Sequence, residues 1–134
     1  VIDPHLICPC GSGRSYVDCC GPLHDGAPAT TAEALMRSRF SAFARGLTPY
    51  LLTSWHPSTR PAALESEAET EWRRLQIVDV VRGGPEDTEG VVEFRASFRS
   101  AASSSQPGSG LLHERSRFVR FDGRWVYLDG EQLA

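Results

Sequence analysis

Met36, Phe40, Phe43 and Leu47 recur at gaps of four, three and four, and so draw one apolar stripe along a helix. Thr30-Thr31-Ala32-Glu33 ahead of it reads as a capping box, with Thr30 as N-cap and Glu33 reaching back. Arg37 and Arg45 fall on the opposite side, and Gly46 is the expected stop. Thr48-Pro49 then restarts the chain as N-cap and first helical residue of a short helix, Tyr50 to Trp55, that ends before Pro57. The acidic stretch from Pro61 to Glu71 is expected to be helical in part.

Beyond it the period changes from helix to strand. Leu75 to Val81 is β-branched and apolar, and Gly83-Gly84-Pro85 marks a turn. From Val91 to Ser100 the chain alternates, with Val92, Phe94, Ala96 and Phe98 on one face and Glu93, Arg95, Ser97 and Arg99 on the other. That is the pattern of a half-buried antiparallel strand. Ala101 to Gly110 is Ser/Gly-rich and reads as a mobile loop. Leu111 to Phe121 and Arg124 to Leu128 are further strands, joined by the hairpin signal Asp122-Gly123. Helices followed by a strand meander predict an α+β domain, and its single curved antiparallel sheet would wrap the helices and leave a cone-shaped cavity.

With 134 residues the chain has room for one such domain and a small appendage. Its formal net charge is -3, so no bulk positive field favours nucleic acid. Every basic residue other than histidine is Arg, a composition that reads as codon bias. No apolar stretch is long enough to span a membrane, and Val1 to Cys10 lacks the basic start and apolar run of a signal peptide. A cytoplasmic location is expected.

The appendage holds all four cysteines, Cys8, Cys10, Cys19 and Cys20. Disulfides would close strained rings between near neighbours and leave over a hundred residues unstapled. Plain reduced thiols are a second alternative. Two close pairs joined by a short loop are what one tetrahedral zinc ion needs. The first pair is tighter than the usual two-residue gap, so spacing alone does not certify a site. Gly11 and Gly13 would let the backbone turn sharply and aim amide N–H groups at sulfur. His24 could replace one cysteine, or be a surface histidine in a linker covering residues 21–29.

Cys8-Pro9-Cys10-Gly11-Ser12-Gly13-Arg14-Ser15-Tyr16, closing on Cys19-Cys20-Gly21, resembles the SEC-C motif. The motif is named for the C-terminus of the preprotein-translocase ATPase, where it binds zinc and contacts partner proteins. That version commonly ends in Cys-His, and this one in Cys-Cys; both ligate zinc, but the translocase's own partner does not carry over. Four further motifs follow in order. They run from Ala32 to Phe43, from Trp55 to Pro61, from His113 to Phe118 and from Asp122 to Gly130. Together they are similar to the YchJ-type bacterial family, which joins a SEC-C motif to a nuclear transport factor 2-like domain. The resemblance implies a knuckle and linker over residues 1–29 and a cone over 30–134. Longer members carry a second SEC-C motif, whereas no cysteine follows Cys20 here, so a role needing two knuckles is not expected. By fold analogy, a homodimer through the open sheet face is also an expectation.

Candidate chemistry in the cone rests on few residues. His56 sits at a helix end and would act either as a base or ligand donor, or as a cap on the preceding helix. Arg39 and Arg60 could bind an anion, or pair with Glu65 or Glu93. His113 and Glu114 are adjacent in a strand, so they face opposite ways. If Phe118 faces inward, Leu112, Glu114 and Ser116 share its face, and a buried Glu114 needs a partner. Arg39, His56 and Glu114 are therefore the expected ligand pocket. Trp72, Trp125 and Tyr127 read as packing.

Two functions follow. One is a zinc-binding adaptor, presenting the knuckle with Arg14, Tyr16 and Pro22 exposed to a protein or ribosomal partner, with the cone as scaffold or small-ligand pocket. The other is a small-molecule enzyme of the isomerase, dehydratase or hydrolase kind. In either case zinc is structural, because four thiolates leave no open coordination position.

Overall fold

The structure is a computed structural model that describes residues 6–64, 70–100 and 108–133. A single-turn 3-10 helix, Tyr16–Asp18, leads into α1 (Cys20–His24), α2 (Ala32–Arg45) and α3 (Thr48–Thr53). Four strands follow, β1 (Thr70–Arg82), β2 (Glu89–Ser100), β3 (Gly108–Phe121) and β4 (Arg124–Gln132). They form one antiparallel sheet in the order β1-β2-β3-β4. This is the α+β architecture expected, a nuclear transport factor 2-like cone built from helices followed by a curved four-stranded sheet.

The helix boundaries differ from those the sequence predicts, at α2 because of its own cap and at α3 because of the sheet. Thr31, not Thr30, caps α2: its backbone is extended, and its hydroxyl accepts from the Ala34 amide at 3.0 Å. Glu33 turns away from the cap and pairs with Arg37 one turn on. Gly46 ends α2 in the left-handed conformation, φ 71°, and its amide returns to the Ala42 and Phe43 carbonyls. Leu47, not Thr48, is the N-cap of α3, which stops at Thr53 and not at Trp55. The reason is β4: Tyr127 N–H donates to the Ser54 carbonyl at 2.8 Å, and His56 N–H to the Tyr127 carbonyl at 2.7 Å. The chain after α3 is thus pulled into register with the sheet.

The segment expected as a linker begins inside helix α1. Of the acidic stretch expected to be partly helical, residues 61–64 are not helical and Thr70 already belongs to β1, while 65–69 lie outside the described residues. Residues 108–110 of the expected loop belong to β3, and 101–107 lie outside the described residues.

The core forms where α2 lays Leu35, Met36 and Phe40 on Leu75, Val92, Phe94, Ala96, Phe118 and Trp125 of the sheet. The alternation in β2 holds, with Val92, Phe94 and Ala96 buried. Each large side chain so enclosed contributes about 2 kcal/mol. Phe98 and Trp72 extend the cluster as a tilted ring pair 5.2 Å apart. On the outer face, Glu93 accepts from His113 and Arg115, and Arg115 also reaches Asp79. Glu93 is therefore not the partner of Arg39 or Arg60.

The sheet bends at register shifts near Arg73, Val78 and Leu128. Close to the turn between β1 and β2, Gly83 and Gly90 let two backbones meet: a methyl on Gly90 would lie 2.5 Å from the Gly83 Cα. Among the described residues, no helix is long and apolar enough to cross a membrane.

Candidate metal centre

The N-terminal residues form a miniature hairpin. Tyr16 N–H donates to the Leu6 carbonyl at 2.7 Å and Cys8 N–H to the Arg14 carbonyl at 2.9 Å. Its tip needs Gly11 and Gly13, at φ 82° and 85°, because other residues enter that region only with strain. The tip holds Cys10, and the single-turn helix then returns the chain so that Cys19 and Cys20 face the first pair.

The four sulfur atoms all lie within 4.8 Å of one another. Cys10 and Cys19 Sγ are 3.5 Å apart, and Cys19 and Cys20 Sγ 4.0 Å. All four are free thiols, so disulfide pairing is excluded in this structure. Cys8, Cys10 and Cys20 are buried, and Cys19 is half-buried. Ser12 Oγ lies 3.1 Å from Cys19 Sγ, and the Arg14 guanidinium donates to the same sulfur at 3.7 Å.

The thiols of Cys8, Cys10 and Cys20 titrate as a unit. Cys8 is pushed far down, its thiolate accepting from the thiols of Cys10 and Cys20, with further help from Ser41 and the Cys10 amide. Cys20 is pushed far up, first by Cys10 and Cys8 and then by burial. One negative charge is welcome in this cluster and four are not, unless a cation sits among them. This donor set could hold one metal ion.

The knuckle rests on the polar side of α2. Arg37 Nη1 donates to the Cys10 carbonyl at 2.9 Å, and Cys8 Sγ meets Ser41 Oγ at 3.3 Å. Arg45 stacks its guanidinium on the Tyr16 ring, 4.5 Å from the centroid, and donates to the phenol oxygen. His24 Nε2 lies 2.8 Å from the Ser38 carbonyl, which can only accept; Nε2 therefore carries the proton, and Nδ1 accepts from the Tyr16 hydroxyl. Burial lowers the pKa of His24, which suits this neutral form.

His24 thus neither replaces a cysteine at the cluster nor lies free on the surface. It is a wedge between Tyr16 and Tyr50. Tyr16, expected to be exposed, is 7% exposed, whereas Arg14 and Pro22 are exposed as expected. The signal for this seat is present in the chain: Arg37, Ser38, Ser41 and Arg45 form a polar stripe at helical spacing.

The cone residues divide. Arg39 is 3% exposed, and its Nη1 donates to the Leu51 carbonyl at 2.8 Å and to Ser54 Oγ at 2.7 Å. Its guanidinium lies 5.0 Å from the Trp55 ring centroid and 4.7 Å from that of Tyr127. Burial pushes it down to about 10. Glu114 accepts from Ser116 and from the Tyr127 hydroxyl. Arg39 and Glu114 therefore meet on the two sides of one tyrosine. The His56 ring instead packs on Phe121 and bonds Ser58. Phe121 is seven residues from Glu114 along β3, roughly 23 Å of strand. Arg60 donates to the Trp55 carbonyl, and Glu65 lies outside the described residues.

Residues 7–22 match the SEC-C motif model, and residues 31–130 match the model described as YchJ, middle NTF2-like domain. The chain belongs to the YchJ-type family. It is 53% identical over 127 residues to the UPF0225 protein SCO1677 of Streptomyces coelicolor, covering 94% of this chain and 95% of the relative. A UPF0225 protein of Corynebacterium efficiens is 48% identical, with 96% and 95% covered. Two solved structures share the fold. The solution structure of RPA3114, a SEC-C motif containing protein from Rhodopseudomonas palustris, has a TM-score of 0.77 at 34% identity, covering 95% of this chain and 98% of that one. The crystal structure of a SEC-C motif containing protein from Psychrobacter arcticus has a TM-score of 0.74 at 30% identity, with 94% and 82% covered.

Proposed function

We propose that this YchJ-type protein is a cytoplasmic zinc-binding adaptor whose knuckle docks on a protein or ribosomal partner. Zinc suits the donor set. Zn–S bonds of about 2.3 Å give a tetrahedron with edges of roughly 3.8 Å, close to the separations seen between Cys10, Cys19 and Cys20. With four thiolates bound, no position is left for substrate, so the ion shapes the knuckle and does no chemistry.

The observation that carries the docking role is the apolar surface on the knuckle. Leu6, Ile7 and Val17 are 50%, 60% and 43% exposed, beside exposed Arg14. A segment this small cannot enclose its own apolar residues, and a partner would cover them. The test is co-sedimentation with ribosomes and affinity capture, comparing wild type with Ile7→Asp and Cys8→Ser. Loss of the same partner in both variants, with Ile7→Asp retaining its metal, supports the adaptor. An unchanged partner in both variants excludes it.

A second reading is favoured by Arg39. A buried guanidinium with no carboxylate partner among the described residues suits an anionic small molecule in the cone, as in a small-molecule enzyme with structural zinc. Arg39 and Glu114, both in contact with Tyr127, are its proposed ligand residues, and His56, set apart on Phe121, is outside that pair. Copurification of a metabolite that Glu114→Gln fails to retain would support it.

A further inference from the structure

We infer that the seam between knuckle and cone is a binding site for a small apolar carboxylate. A cavity of about 300 Å³ opens there, walled by α1, the following residues 26–29, α3 and the start of β4. It is separate from Arg39, His56 and Glu114, none of which lines it.

Its chemistry is selective. The floor is apolar, built from Leu23, Leu35, Trp125 and Val126. In the wall, the Tyr50 hydroxyl pairs with Ser38 Oγ at 2.7 Å and Ser54 Oγ donates to the Tyr50 carbonyl at 2.7 Å, whereas the buried Trp125 indole N–H has no partner among the described residues. Beside that free donor stands positive charge. Arg124 lines the cavity and is exposed, and the one side-chain hydrogen bond it makes among the described residues, from Nη2 to the Gly26 carbonyl at 3.0 Å, leaves its other donors for a ligand. Arg39 stands directly behind the wall, bonded to Ser54 Oγ at 2.7 Å. Among the described residues no Asp or Glu lines the cavity, in a chain with 17 acidic and 14 basic residues; Asp25, which follows α1, is exposed and is not among the walls.

An apolar floor with one guanidinium at its rim fits a ligand with a short hydrocarbon body and one carboxylate. The volume is at the lower end for small-molecule sites, which limits the body to a short chain or a single ring. Such a ligand would touch α1 of the knuckle and β4 of the cone at once, and so fasten the two together.

The probe is hexanoate, with hexylamine as its charge-reversed counterpart, added to the intact metal-bound protein. Hexanoate should shift the Trp125 indole N–H resonance and raise the melting temperature, while hexylamine does neither. Arg124→Gln should weaken hexanoate at least tenfold. Thr53→Phe, at the exposed rim, should block it without lowering the melting temperature of the unliganded protein. No response of Trp125 to hexanoate, an equal response to hexylamine, or full hexanoate binding by Arg124→Gln would overturn the inference. Should Thr53→Phe fail to fold, Arg124→Gln and the amine control decide alone.

Discussion

Arg37 donates to the Cys10 carbonyl at 2.9 Å while its Nε holds Glu33 at 3.0 Å. One side chain on α2 thus fixes the tip of the cysteine-bearing loop, and Glu33, freed from the cap, steadies that side chain. Removing it in Arg37→Ala should cost about 1 kcal/mol, since Arg37 is partly exposed and the bond is charge-assisted. Roughly five-fold weaker metal retention against a chromophoric chelator should accompany the loss. Unchanged retention would show that the knuckle holds its shape without α2.

Metal content should be one ion per chain, and cobalt substitution should give the sulfur-to-metal charge-transfer absorption of a tetrathiolate site. Cys10→Ser removes a donor from a fully buried position and should abolish binding. Because a knuckle of this size folds around its ion, chelation should also erase amide protection in residues 6–24 while leaving that of β2 and β3 in place. Global unfolding on chelation would contradict this division.

His24 gives the seam a pH dependence. Its folded-state pKa lies below the usual 6.5 because the ring is buried, so the unfolded chain takes up the proton first as pH falls. Its contribution to stability is whole above about pH 6.5 and is lost progressively below it, down to the depressed folded value. The loss should be smaller in His24→Gln, measured by denaturant melts of both proteins from pH 7.5 to pH 5 at equal metal load. Parallel curves would remove His24 as the cause.

Gly90→Ala should destabilise the cone by roughly 2 kcal/mol or more. The added methyl meets the Gly83 backbone at 2.5 Å and the Ala32 side chain at 3.2 Å, and backbone cannot rotate aside as a side chain can. Gly123→Ala makes no such contact, and its cost should come only from its backbone φ of 81°. Equal melting temperatures for Gly90→Ala and wild type would mean the two glycines are not packed as described.

The parts that sequence makes legible are those set by a repeating pattern or a dense motif. The alternation from Val91 to Ser100, the left-handed stop at Gly46 and the Asp122-Gly123 hairpin all depend on neighbours in the chain. The four cysteines are legible through the dense motif around them, Gly11 and Gly13 included, and not through their spacing alone. What was misread depends on distant partners. Trp55 left the helix because Tyr127 captured the chain around it. Tyr16 and His24 were assigned to the surface because nothing local says that Arg45 and Ser38 would cover them. The stripe Arg37, Ser38, Ser41, Arg45 was visible but ambiguous, since a polar helix face serves water and a polar neighbour equally well.

That stripe has a consequence for the failure of the protein. The side of α2 under the hairpin is polar, and is hydrated as readily as it is covered. A chain that lost its ion would bare arginines and serines, not a greasy scar. The cone would stay folded and dispersed while its small cap swung free, ready to be re-seated when metal returned.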